Sequence, residues 1–145
     1  MVSRPKLRVF LDTNVLFSGL HSRLGAPNRI LEAATAETIV CVVSMRVLQE
    51  LTRNLRKKAP HLIGYLEQFL TGTPVEIVTE PLESETRRWA DAGLGSDAPI
   101  IAAAIAAHVD YFCTGDQQIL ARGRAGALGD LDVLSPADLL RMLAE

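Results

Sequence analysis

The chain has 145 residues, 48% of them hydrophobic, 22% charged and only 5% aromatic, an ordinary globular composition whose core must be aliphatic. Fifteen Lys and Arg face seventeen Asp and Glu for a net charge of −2, so no global positive field advertises a nucleic-acid partner, and any such partner must be held by a local patch. Cys41 and Cys113 lie in apolar runs without CxxC or Cys/His spacing, which points to buried reduced thiols and away from a zinc site or disulfide framework.

Residues 1–8 are basic but lack the apolar region and small-residue cleavage site of a leader. The first predicted strand is "VFL" at 9–11, and it ends on Asp12, a carboxylate inside an apolar run. An Asx turn onto the following "TN" is one account of it. A site that compensates an ionised acid is the other.

"APNRILEAATAE" at 26–37 predicts a helix with Ile30, Leu31 and Ala34 on one face, and "TIVCVVS" at 38–44 predicts a strand buried on both sides. "MRVLQELTRNLRKK" at 45–58 places Val47, Leu48, Leu51 and Leu55 on one helical stripe. "HLIGYLEQFL" predicts a further helix after Pro60, "VEIVT" at 75–79 a strand, and "LESETRRWADAG" a helix that stops near Gly93. "APIIAAAIAAH" is apolar on nearly every face, so it is buried all round, either inside the domain or against a second subunit. It is also about half the length needed to cross a bilayer, so the expectation is a cytoplasmic protein with no membrane partner. "YFCT" at 111–114 and the weaker "LDVLS" at 131–135 complete the strands, and Ser135 and Pro136 open a last helix as N-cap and first residue. Strands alternating with helices predict one α/β domain over residues 1–145 with a mainly parallel sheet.

Four acids recur at comparable places. Asp12 and Asp116 leave strands, Asp97 opens the alanine-rich helix, and Glu50 sits one or two turns into the helix after the second strand. Singly each has a plain account: a cap at Asp97 or Asp116, or a solvated Glu50 paired with Arg53 or Asn54. Jointly they fall at the carboxyl ends of a parallel sheet, where ligands bind. Carboxylates gathered there repel one another unless a cation neutralises them, and all-oxygen ligation selects Mg2+ or Mn2+. His21 in a loop, His61 at a helix start and His108 at a helix end stand apart from this cluster. No P-loop, GxSxG elbow or GxGxxG is present. Metal held by carboxylates suits phosphodiester hydrolysis.

The segments "FLDTNVLFSG", "LQEL", "SDAPIIAAAIA" and "YFCTGDQQIL" resemble, in order and over essentially the whole chain, the motifs of the PIN domain, in particular the stand-alone bacterial and archaeal VapC-like toxins. The resemblance implies a single-domain α/β/α sandwich and a Mg2+- or Mn2+-dependent ribonuclease whose catalytic and metal-holding acids fall on Asp12, Glu50, Asp97 and Asp116. It implies that Asn14 and Thr114 orient these acids, that homodimers are common, and that an antitoxin protein is a partner beside the RNA substrate. Two departures stand out: Ser96 and Ala98 flank Asp97 where many relatives carry a second acid, and His108 stands where a small residue commonly ends the alanine helix.

The leading expectation is thus an endoribonuclease, with the toxin of a type II toxin–antitoxin pair as its role. A phosphomonoester phosphatase is the alternative, but a haloacid-dehalogenase-type enzyme needs a second Asp where this chain has Asn14. A non-catalytic scaffold binding RNA or protein is a third, unsupported by any missing acid. Candidate RNA contacts are Arg53, Arg56, Lys57 and Lys58, with Arg122 and Arg124 as a second basic cluster; a solvated helix end stabilised by the helix dipole competes with that reading.

Overall fold

Five short strands form one parallel sheet in the order β3-β2-β1-β4-β5: β1 (Arg8–Leu11), β2 (Val40–Ser44), β3 (Val75–Val78), β4 (Tyr111–Cys113) and β5 (Val133–Leu134). The structure is a computed structural model describing residues 5–145. Residues 1–4 of the basic leading segment lie outside the described residues.

The helices are α1 (Thr13–His21), α2 (Ala26–Thr35), α3 (Met45–Lys58), α4 (Ile63–Gly72), α5 (Glu83–Trp89), α6 (Ala98–Ala106), α7 (Gln117–Arg124) and α8 (Pro136–Leu143). Connections from β1 to β2 and from β2 to β3 run one way along the sheet, and those from β3 to β4 and from β4 to β5 run the other. Right-handed crossovers therefore put α1 to α4 on one face and α5 to α7 on the opposite one. The fold is a single α/β domain of the expected class. Its direction of winding reverses between β1 and β4, which are hydrogen-bonded neighbours with Phe10 opposite Phe112 and Leu11 opposite Cys113. In such sheets the crevice beyond the carboxyl ends at the reversal is the ligand-binding position.

Aliphatic packing holds these layers. Phe10 and Phe112 stack at 5.4 Å between centroids, in a core whose other fully buried members include Leu11, Leu16, Ile30, Leu51, Leu55, Ile101 and Leu139. Cys41 and Cys113 are buried free thiols, and burial pushes each up to about 12. Helix α6 is buried within one chain along Ala98 and residues 100–104, which decides the question its composition raised: the domain interior covers it, and no second subunit is required.

Several expectations change. The segment after Asp12 is not a turn into loop but helix α1, so His21 ends a helix and does not lie in a loop. Thr38 and Ile39 precede β2 and do not belong to it. The helix predicted to stop near Gly93 ends at Trp89 and gives way to a wide turn over residues 90–94, with Gly93 at φ 96°. His108 lies just past α6 at φ 52°, the left-handed position after a helix that favours glycine. Ser135 caps α8 as expected, accepting from Asp138 N at 3.1 Å. Among the described residues no helix is long and apolar enough to cross a membrane.

Candidate active site

The carboxylates of Asp12, Glu50, Asp97 and Asp116 all line one cavity of about 290 Å3, at the carboxyl ends of β1 and β4. Asp12 follows Leu11 directly, and its backbone N–H donates to Cys113 O at 3.0 Å, so the sheet ladder runs on into the site. Its side chain caps α1, with Oδ1 accepting from Thr13 N at 2.8 Å. Its Oδ2 accepts from Thr114 Oγ1 at 2.8 Å and Asn14 Nδ2 at 3.1 Å.

Thr114 is fully buried, and its hydroxyl uses its full capacity. It donates to Asp12 and accepts from Asn14 Nδ2 at 3.2 Å and Asp116 N at 3.0 Å. Asn14 Oδ1 in turn accepts from Gly115 N at 2.8 Å. This network fastens the end of β1 to the turn after β4, and with it the first acid to the fourth.

Glu50 comes from the second turn of α3, a helix begun by Ser44 accepting from Val47 N at 3.2 Å. It does not pair with Arg53 or Asn54 as a solvated glutamate would. Instead its Oε2 accepts from Thr13 Oγ1 at 3.2 Å, tying α3 to α1. Asp116 does act as a cap, its Oδ1 accepting from Gln118 N and Ile119 N. Asp97 occupies the cap position of α6 but caps nothing, since its backbone is already helical there and no side-chain bond forms. Its carboxylate therefore remains available to the cavity.

The electrostatics follow from this crowding. Burial, reinforced by Asp97 and Glu50 and opposed by the bonds from Thr114 and Thr13, raises Asp12 to about 6. Asp97 is also raised, by burial and then by the negative charges of Asp116 and Glu50, against the pull of Arg122. Among the described residues no group of three His, Cys, Asp or Glu side chains is drawn close enough to grip an ion as it stands. The donor set nonetheless fits a hard divalent cation, being all carboxylate oxygen in a cavity where every added negative charge is costly.

The basic residues divide. Lys58, at the end of α3, lines the acidic cavity. Arg53, Arg56 and Lys57 line a separate groove on the outer face of the same helix, with Met45 and Leu48. Arg122 donates to Ala92 O and Gly93 O, so it is engaged within the domain, whereas Arg124 is exposed. Sequence reasoning did not single out Thr13 or the other wall residues Phe17, Asn54 and Ile100. The only signal for Thr13 was its place beside Asp12.

Comparison with known proteins then decides the family: a PIN domain profile matches residues 8–118. The chain belongs to the PIN domain family. PIN domains are in general nucleases. The structure is similar to that of PAE2754 from Pyrobaculum aerophilum, with a TM-score of 0.70 and 16% identity over 95% of this chain and 96% of that one. It is also similar to VapBC2 from Rickettsia felis, solved bound to a DNA fragment from the pair's promoter, with a TM-score of 0.66 and 18% identity over 89% of this chain and 98% of that one. At these identities the likeness is one of fold. No curated protein matches the sequence.

Proposed function

We propose that this PIN domain is a Mg2+- or Mn2+-dependent endoribonuclease acting at Asp12, Glu50, Asp97 and Asp116. The observation that carries the reading is the sharing of one cavity by all four carboxylates at the point where the winding of the parallel sheet reverses. Two of them are pushed toward protonation by burial and by the others. A divalent ion held there would neutralise the cluster and supply a water acidic enough to attack a phosphodiester near neutral pH.

This chain's own residues supply the positioning. Thr114, Asn14 and Thr13 hold Asp12 with both oxygens engaged, and Thr13 orients Glu50. Asp97 offers an uncapped carboxylate, and Asp116 keeps Oδ2 for the cavity while Oδ1 caps α7. Lys58 meets the phosphate of an RNA strand entering past α3. Arg53, Arg56 and Lys57 extend the contact around that helix if the strand wraps it. The phosphatase alternative loses ground, because Asp12 is clamped by three donors and is not presented as a nucleophile.

The VapBC2 likeness supports a toxin role for this PIN domain, acting in the cytoplasm with an antitoxin as protein partner. Helix α6 gives no argument for a homodimer, because the domain itself buries it.

The deciding experiment incubates the purified protein with single-stranded and structured RNAs, and with DNA, in Mg2+, Mn2+ or chelator. Asp12→Asn and Asp97→Asn run alongside. Internal cleavage of RNA that requires the metal and both acids is the expected result. Cleavage that persists in chelator, or survives both substitutions, overturns the mechanism. A small antitoxin-like reading frame immediately upstream is the observation that tests the toxin role.

A further inference from the structure

Helix α7 carries Asp116 at its start and Arg122 in its last turn, where the guanidinium reaches across to the turn that precedes Asp97. Nη1 donates to Ala92 O at 3.3 Å and Nη2 to Gly93 O at 3.2 Å, so one planar fork holds two consecutive carbonyls. The turn needs such a hold. It follows the end of α5 at Trp89, Gly93 sits at φ 96° and Gly95 at φ 53°, and only Leu94 between them is buried. Two glycines in left-handed conformations are the costliest residues to order.

The fork is itself held from behind. A Cβ on Gly123 would stand 2.8 Å from Val133 Cβ, so α7 lies close against β5 and its register is fixed by the sheet. A rigid path thus runs from β5 through Gly123 and Arg122 to the 92–93 carbonyls, four residues before Asp97.

We infer that Arg122 is a positioning residue: by clamping the carbonyls of Ala92 and Gly93 it fixes the turn that delivers the Asp97 carboxylate to the acidic cavity, in register with Asp116 on its own helix. This rests on the reading of that cavity as an ion site. It gives Arg122, of the second basic cluster, an internal task, with RNA contact left to α3. Arg122 also attracts Asp97 against the repulsion of its acidic neighbours. A charge effect and a clamping effect have opposite signs for ion binding, and that allows them to be separated.

The test compares Arg122→Ala and Arg122→Lys by amide hydrogen exchange over residues 90–97 and by Mn2+ titration in the wild-type and Asp97→Asn backgrounds. Clamping predicts exchange in 90–97 at least about fivefold faster in both variants, with the sheet amides unchanged. It predicts Mn2+ binding about tenfold weaker in both, since lysine keeps the charge but not the fork. In the Asp97→Asn background the Arg122 effect on Mn2+ should shrink to within about twofold, as expected for a residue that acts through Asp97. Unchanged exchange over 90–97, tighter Mn2+ binding in Arg122→Ala, or an equal loss in the Asp97→Asn background would each overturn the inference. If the wild-type protein binds no Mn2+, the ion-site reading fails by itself, and the exchange measurement still decides whether Arg122 clamps the turn.

Discussion

Replacing Asp12 by asparagine should change the pH dependence of stability more than stability itself. Asp12 is 7% exposed, and its carboxyl is raised from 3.8 to about 6, so the folded protein binds this proton more tightly than the unfolded chain does. Between those values stability falls as pH rises, because the native state holds the extra proton. The contribution is fully present below pH 3.8 and gone once the pH passes about 6. The raised value corresponds to about 3 kcal/mol of destabilisation of the metal-free protein at pH 8.

Asparagine cannot titrate, so this slope disappears. The substitution also has a fixed cost. Thr13 N, Asn14 Nδ2 and Thr114 Oγ1 all point donors at the carboxylate, and an amide NH2 cannot accept from them. That mismatch costs about 1–2 kcal/mol at every pH. Urea unfolding in chelator, for wild type and Asp12→Asn at pH 4.5 and pH 8, separates the two contributions. The variant should be the less stable of the pair at pH 4.5 and equal or more stable at pH 8, a swing of about 2 kcal/mol. Parallel pH curves, with a swing below about 0.5 kcal/mol, would refute the claim that Asp12 is a strained buried acid.

Saturating Mn2+ at pH 8 should restore stability to the wild type, by about 2.7 kcal/mol at a hundredfold excess over Kd, and should do nothing for Asp12→Asn in a thermal melt. Thr114→Val removes the donor to Asp12 Oδ2 and the acceptor of Asp116 N; it should cost about 2–3 kcal/mol and raise the Asp12 carboxyl further, which carboxyl NMR titration would show. Gly19→Ala would place a Cβ 2.6 Å from Leu31 Cδ1 and 3.1 Å from Pro27 O, prying α1 from α2 at a cost of about 1–3 kcal/mol in urea unfolding. His108→Gly should stabilise by about 0.5–1 kcal/mol in the same assay, since it relieves a left-handed residue at the end of α6.

What was legible in the sequence is what depends on local pattern. Strand β2 shows as an unbroken apolar run because both its faces are buried, and α3 shows because its stripe recurs at Val47, Leu51 and Leu55. Helix α1 did not show: Val15, Leu16 and Phe17 follow the strand residues Val9, Phe10 and Leu11 almost without a break, so periodicity carries no marker of where one ends. Only Asp12 as an N-cap could have supplied it. The places of Asp12, Asp97 and Asp116 were legible, since each sits just beyond a strand or at a helix start, whereas Glu50 lies in the second turn of α3 and only its helix was. Their partners were not. Thr13 finds Glu50 only because α1 packs on α3, and Arg122 finds the 92–93 carbonyls only because α7 lies against β5. Both are tertiary facts without a sequence period.

The magnitudes also explain why an acidic cluster and a wholly apolar helix occur side by side. Holding Asp12 ionised inside the domain costs about 3 kcal/mol by the reasoning above. Burying one isoleucine side chain contributes about 2–3 kcal/mol. Helix α6 buries Ile100 and Ile101 within one turn of Asp97, so the element that presents one of the repelling carboxylates also supplies apolar burial of comparable size to offset them. Ile100 serves both ends at once, since it is 3% exposed in the core and still forms part of the cavity wall. Truncating it should therefore weaken the fold and loosen the site together. An exposed acid without such backing could be moved at little cost, and would have no reason to stay where the winding of the sheet reverses.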